Sequence, residues 1–282
     1  MFAEMSYFNP PIKPYRDSMG GYVRARLVPD FRVTVEQVHQ MITSSLMLRQ
    51  LTQMLRALPE PPEADDVRRE MKSTRLPFVT PCGVFRRRRS DEVVELSGLL
   101  VLDIDHLDSL EEACRVRDEL FSDELLRALL AFVSPGGLGV KLLVPWVTEA
   151  PFRAIGRLNM SEFVNHGWQP TAFNLHTVSE QTLYGMDYLN TVAQLGCVRS
   201  LTKKQLECDF TGKDVSRACF LGYDPGAKYR PYGATPYVFR GPEGLPELQC
   251  KANPEASLLD SGEPPPAITA SAVKAFTRVI CK

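Results

Sequence analysis

Two acidic residues end an apolar segment near the middle of the chain. Residues 98–105 read Gly-Leu-Leu-Val-Leu-Asp-Ile-Asp, so one residue separates Asp103 from Asp105. Alternate side chains of a β-strand lie on the same face, which places both carboxylates on one side of the strand end. Neighbouring carboxylates repel each other unless a cation lies between them, and hard oxygen ligands favour Mg²⁺ or Mn²⁺. The pair is a candidate metal site, although acids after a buried strand often only cap the following turn and helix.

A glycine-rich loop follows the next apolar segment. Residues 134–141 read Ser-Pro-Gly-Gly-Leu-Gly-Val-Lys. Backbone N–H groups freed by glycine, together with a nearby cation, are the usual means by which proteins hold phosphate. The candidate phosphate-binding residues are Ser134, Gly136, Gly137, Gly139 and Lys141. Alone, the loop is equally typical of an ordinary turn, but its order after the acidic pair favours nucleotide chemistry.

The elements that must position these two loops form a strand–helix–strand unit. Apolar runs predict strands over residues 93–103, 129–133 and 140–147. Between the first two, an amphipathic pattern predicts a helix over residues 109–121. This order predicts an α+β fold with a central mixed sheet covered by helices.

The remaining pattern divides the chain into three segments. Residues 1–75 are predicted to form an arm and a helical region packed on the core, with Thr34 and Gln37 as a capping box. Residues 76–230 are the predicted core, with further helices over 149–164 and 181–195. Residues 231–282 contain three consecutive prolines and little apolar periodicity, so a loosely ordered tail is expected there.

A run of four arginines is the strongest local positive charge. The net charge of the chain is −1, so no global field attracts nucleic acid, and any contact must come from a local patch. Basic clusters neutralise backbone phosphates, whereas the alternative is a solvated hairpin balanced by the acids that follow it. The candidate nucleic-acid-binding residues are Arg86, Arg87, Arg88 and Arg89.

The cysteines and the hydropathy pattern indicate a cytoplasmic protein. The seven cysteines are scattered, and none has zinc-ligand spacing, which favours reduced thiols in a cytosolic protein. No segment reaches the roughly 18 apolar residues that a membrane helix needs, so no membrane partner is expected. The sequence contains no P-loop motif, so any helicase would be a separate protein.

Several short blocks together resemble the VirE N-terminal-like family of bacterial mobile elements, which is placed in the archaeo-eukaryotic primase (primase-polymerase) superfamily. These blocks follow one another in the order found in the family and span about residues 76–226. The blocks that carry the resemblance are residues 76–85, 97–105, 132–141, 209–217 and 220–225.

The resemblance implies a primase-polymerase active site on an RRM-like sheet with flanking helices. Asp103, Asp105 and Asp209 would be the catalytic acids that hold Mg²⁺ or Mn²⁺, with Asp214 a competing candidate for the third position. Residues 134–141 would contact the phosphates of the incoming nucleotide, and Arg217 would lie beside the third acid. The implied partners are a DNA template, most naturally single-stranded, nucleoside triphosphates and a separately encoded helicase.

The chain departs from the wider superfamily at the end of the glycine loop, where many members carry histidine and this chain has Lys141. Lysine can neutralise a triphosphate, but as a flexible point charge. Two other interpretations therefore remain open. One is a nucleic-acid or nucleotide binding module that has lost catalysis, and the other is a metal-dependent phosphodiesterase built from the same acids.

Overall fold

A computed structural model describes residues 4–59, 63–123, 126–145, 189, 207–208 and 214–231, with residues 207 and 208 described as backbone only. Asp209, the predicted helix over 149–164 and the predicted tail from residue 232 onward lie outside the described residues. So does the predicted helix over 181–195, apart from Leu189, which is helical and buried.

Four helices and thirteen short strands make up the described part of the chain. The helices are α1 (Val35–Ser44), α2 (Leu46–Arg56), α3 (Asp65–Arg75) and α4 (Leu110–Phe121). The strands are β1 (Glu4–Phe8), β2 (Tyr15–Arg16), β3 (Tyr22–Val23), β4 (Phe31–Thr34), β5 (Phe78–Thr80), β6 (Gly83–Phe85), β7 (Val93–Leu96), β8 (Leu99–Asp105), β9 (Leu130–Val133), β10 (Val140–Pro145), β11 (Glu207–Cys208), β12 (Cys219–Phe220) and β13 (Lys228–Tyr229). The predicted α+β class is confirmed. None of the described helices is long and apolar enough to cross a membrane.

The central sheet has five strands in the order β11-β8-β10-β9-β13. Its pairings are all antiparallel, so the prediction of a mixed sheet is wrong for the described strands. The reason is that β8 and β9 run parallel, with α4 connecting them, but the β9–β10 hairpin folds β10 back between them. This arrangement is a split β-α-β unit.

The predicted strand over residues 93–103 is divided into β7 and β8. The break falls at Gly98, whose backbone φ is +76°, a left-handed conformation that glycine adopts at little cost. After this break, β8 runs from Leu99 to the two acids at its end.

Apolar residues cover both faces of the central sheet. On one face, Leu102, Ile104 and Leu142 pack against α4. On the opposite face, Val101 and Leu143 pack in a cluster shared with β1, α1 and α2. Burial on both faces explains why β8 and β10 read as continuous apolar runs rather than alternating ones.

The N-terminal segment builds part of the same body. Strand β1 lies between β4 and β5, and β5 also pairs with β12 in a second sheet. Thr34 and Gln37 form the predicted capping box at the start of α1. The predicted helical region is divided at Ser45, whose side chain caps α2 by accepting from the Leu48 N–H. Helix α2 packs on the same face of the central sheet as the acidic pair, through Leu48 in the cluster that holds Val101 and Leu143, and α3 contacts α2 through Arg68, which donates to the Leu55 carbonyl.

The side chains of three cysteines are described. Cys82, Cys114 and Cys219 are all free thiols. Burial raises the pKa of Cys82 and of Cys219 to about 12, so both thiols are protonated at neutral pH.

Candidate functional site

The site begins at the end of β8, where a buried lysine neutralises one of the two acids. Asp103 is opposite Lys141 in the β8–β10 ladder, so the two side chains lie on one face of the sheet. Both are buried, and the Lys141 Nζ forms an ion pair and hydrogen bond with Asp103 Oδ2. Asp105, the last residue of β8, is only half-buried. The carboxylate beside the lysine is therefore enclosed, and the second is open to solvent.

The charge of Lys141 is maintained by its neighbours. Burial alone would lower the lysine pKa, but the charge and hydrogen bond of Asp103, with a smaller contribution from Asp105, raise it above its ordinary value. Lys141 is therefore protonated at neutral pH, and its positive charge balances the negative charge of Asp103.

The glycine loop closes tightly against the end of β8. The Gly137 N–H donates to the Ser134 carbonyl, and the Ser134 N–H donates to the Gly139 carbonyl. Gly137 has a φ of +89°, a left-handed conformation that glycine adopts at little cost. A Cβ on Gly139 would lie 2.5 Å from the Ile104 carbonyl oxygen and 3.1 Å from Asp105 Oδ1. The two loops predicted from the sequence are therefore in direct contact.

This contact makes position 139 intolerant of a side chain. Gly139→Ala must push β8 and the loop apart, which we expect to lower the free energy of unfolding by about 1–3 kcal/mol, the usual effect of overpacking. Urea denaturation followed by circular dichroism measures the change. Gly136→Ala is the matched control, because a Cβ there meets only the Lys72 side chain, at 3.5 Å. Equal stability of both variants would contradict the tight contact.

Two cations from the N-terminal helices lie over the loop. Arg56, at the end of α2, donates from Nε to the Pro135 carbonyl and from Nη2 to the Ser134 carbonyl, both at 3.3 Å. Lys72 Nζ lies 3.5 Å from the position of a Cβ on Gly136. Sequence reasoning missed both residues, because helices α2 and α3 carry several other basic residues and only the tertiary fold selects these two.

A second buried ion pair contacts the end of β9, the strand that leads into the glycine loop. Asp224 and Arg117 are each 5% exposed, and Arg117 Nη1 donates to Asp224 Oδ1 at 2.8 Å. Asp224 also accepts from the Val133 N–H at 2.8 Å, one residue before the loop begins. In the sequence, Asp224 begins an Asp-Pro-Gly segment that is typical of an ordinary turn. Its buried role in fixing the loop is a finding of the structure.

The residues predicted around the third acid are described only in part. Asp209 lies outside the described residues; in the sequence it directly follows β11, in which Cys208 pairs with Ile104. Asp214 is exposed, and its carboxylate accepts from the N–H and hydroxyl of Ser216. The N–H of half-buried Arg217 donates to the Asp214 carbonyl. Asp214 and Arg217 thus form one local turn.

The four-arginine run does not present a uniform basic surface. Arg89 pairs with Asp91 at 2.6 Å. Arg86 pairs with Glu92 at 3.5 Å. Arg88 is half-buried and lies over the Phe78 ring. The exposed members of the run are Arg86, Arg87 and Arg89.

The acidic pair offers the donor chemistry of a magnesium or manganese site, but not a complete set of ligands. Asp103 and Asp105 supply carboxylate oxygens at one strand end. Within the described ranges, no three His, Cys, Asp or Glu side chains are grouped closely enough to hold a metal ion. Mg²⁺ commonly binds through one or two carboxylates together with substrate phosphates. Asp103 and Asp105 fit a site of this kind, in which the phosphates of the substrate supply the remaining ligands.

The fold and the site together define an α+β protein in which a split β-α-β sheet brings carboxylates and a cation-covered glycine loop to one edge. Residues 71–229, more than half of the chain, match the family described as BT4734-like, N-terminal domain. The chain belongs to this family. No curated protein and no solved structure matches the chain.

Proposed function

We propose that the protein is a primase-polymerase-like nucleotidyltransferase that transfers nucleotides from nucleoside triphosphates in the replication of a mobile element. The observation that carries this proposal is the meeting of Asp103 and Asp105 with a glycine loop covered by Lys72 and Arg56. Carboxylates beside a cluster of cations suit a reaction in which negative charge develops on phosphate groups. The resemblance to the VirE N-terminal-like family supports the same reaction.

Each part of the site has a role in this chemistry. A divalent ion held by Asp103, Asp105 and, from the resemblance, Asp209 would activate the attacking 3′-oxygen and neutralise the leaving pyrophosphate. Lys141 would hold the Asp103 carboxylate in position through their ion pair. The absence of a side chain at Gly139 lets the loop reach Asp105, which brings the bound phosphates to the carboxylates.

The template would be single-stranded DNA delivered by a separately encoded helicase. Exposed Arg86, Arg87 and Arg89 are the residues that we assign to its phosphate backbone. Because two of these arginines already pair with carboxylates, their contribution to DNA affinity should be modest and sensitive to salt.

One observation favours a second candidate, a nucleotide or nucleic-acid binding module without catalysis. The Lys141–Asp103 ion pair occupies a carboxylate oxygen that a metal-dependent transferase would use. In a binding module that pair would serve stability alone, and the loop would hold the nucleotide without reaction.

A primer synthesis and extension assay on single-stranded DNA, with Mg²⁺ and then Mn²⁺, tests the proposal. The expected result is nucleotide incorporation that falls about 100-fold or more in Asp105→Asn, since even outer partners of metal sites typically contribute 10- to 100-fold. Asp66→Asn is the matched control, because this carboxylate on α3 is 99% exposed. Nucleotide binding without incorporation would identify the binding module. Strand cleavage without nucleotide would identify a phosphodiesterase, and either result would overturn the transferase.

A further inference from the structure

Two of the three cations around the glycine loop are already committed to protein groups. Lys141 is bound to Asp103, and Arg56 donates to the carbonyls of Ser134 and Pro135. These contacts use a Lys141 donor and two Arg56 donors, and they help to fix the loop. Each of the two side chains is therefore oriented toward a protein group that already shares its charge.

Lys72 differs from them in its surroundings. Its ammonium lies over Gly136, where the missing side chain leaves room above the loop. Lys72 forms no ion pair within 4 Å with any carboxylate in the part of the chain that the structure describes. The side chain is half-buried, so it is neither freely solvated nor matched by an acid in direct contact.

The electrostatic environment of Lys72 favours an added anion. Burial, followed by repulsion from Lys141, lowers the pKa of Lys72, and the more distant Asp105 and Asp103 offset this only in part. A partly desolvated ammonium beside a second ammonium is stabilised by a bound anion. Lys72 lies over one glycine of the loop, and a Cβ on another, Gly139, would lie 3.1 Å from Asp105 Oδ1, so the ammonium and the carboxylates are at the same edge of the sheet.

We propose that Lys72, rather than Lys141, is the residue that binds the triphosphate of the incoming nucleotide, with its ammonium directed at the phosphates above Gly136. This assignment rests on the proposed function for the identity of the ligand. With this assignment, α3 and the glycine loop between β9 and β10 both contribute to the anion site. Arg56 is a positioning residue that holds the loop in place.

Calorimetric titration of the full chain with inorganic tripolyphosphate at low salt tests the assignment. We expect Lys72→Met to weaken binding about 10-fold or more, as for loss of a charged hydrogen-bond partner, whereas Lys72→Arg keeps the affinity within about threefold because the charge remains. The matched control is Lys228→Met. The Lys228 ammonium lies 3.6 Å from Asp118 of α4, the helix that covers the face of the sheet opposite the acidic pair. Lys72→Gln is measured in parallel, and urea denaturation of each variant shows that the fold is intact.

The possible outcomes separate this inference from the proposed function. Unchanged affinity in folded Lys72→Met or Lys72→Gln, or no binding by the unaltered protein, would overturn the role of Lys72. Lost tripolyphosphate binding in Lys72→Met, together with no nucleotide incorporation by the unaltered protein, would support the anion site and overturn the transferase.

Discussion

Replacing Lys141 by Met is expected to lower the free energy of unfolding by about 3–5 kcal/mol, because the change leaves the buried Asp103 carboxylate without its counter-charge. Both residues are less than 10% exposed. Urea denaturation at neutral pH measures the loss. The lysine pKa is raised in the folded protein, so the contribution of the pair is fully present below the ordinary lysine pKa of 10.5 and is lost as the pH rises through the higher folded value.

A double variant is the control for this prediction. Lys141→Met combined with Asp103→Leu removes both charges and fills the space with apolar groups, which is often neutral or stabilising for a buried pair. We expect it to recover most of the stability lost in Lys141→Met. A loss below about 1 kcal/mol in the single variant would show that the pair behaves like a solvent-exposed one.

The second large effect is expected at Asp224. Asp224→Asn removes the buried one of the two carboxylates that pair with Arg117 and alters the acceptor of the Val133 N–H, so we expect a loss of about 3–5 kcal/mol in the free energy of unfolding. Thermal and urea denaturation measure it.

The same arginine provides a matched control. Asp118 accepts from Arg117 Nε at 2.7 Å, but its side chain is 45% exposed. Asp118→Asn should therefore cost less than about 1 kcal/mol. Similar losses at positions 118 and 224 would contradict the idea that burial makes the Asp224 contact the critical one.

Local patterns were sufficient to predict the elements that carry the acids. The helix over residues 109–121 is found as α4, with Ser109 capping it by accepting from the Glu112 N–H. Strand alternation predicts that Asp103 and Asp105 share one face. By the same rule, the apolar residues at 140, 142 and 144 mark the core face of β10 and leave Lys141 on the other face. These features depend only on neighbours in the chain and on the two-residue period of a strand.

The rest of the site depends on contacts between distant segments. Arg56 meets the loop 78 and 79 residues further along the chain, and Arg117 meets Asp224 across 107 residues. Nothing in the local pattern distinguishes Arg56 from the other basic residues of α2 and α3, or Asp224 from an ordinary turn residue. The antiparallel pairing of the central sheet was missed for a related reason, because a strand–helix–strand pattern does not reveal that a third strand inserts between the two.

The most direct test of the central claim is a comparison of a nucleoside triphosphate with the matching nucleoside, titrated into the full chain by calorimetry with Mg²⁺ present. A site built from Lys72, the glycine loop and the Asp103–Asp105 edge recognises phosphate groups, so the triphosphate should bind about 10-fold or more tightly than the nucleoside, and added salt should weaken its binding. Equal affinity for the two compounds, or no binding of the triphosphate, would contradict a nucleotide site at this edge of the sheet.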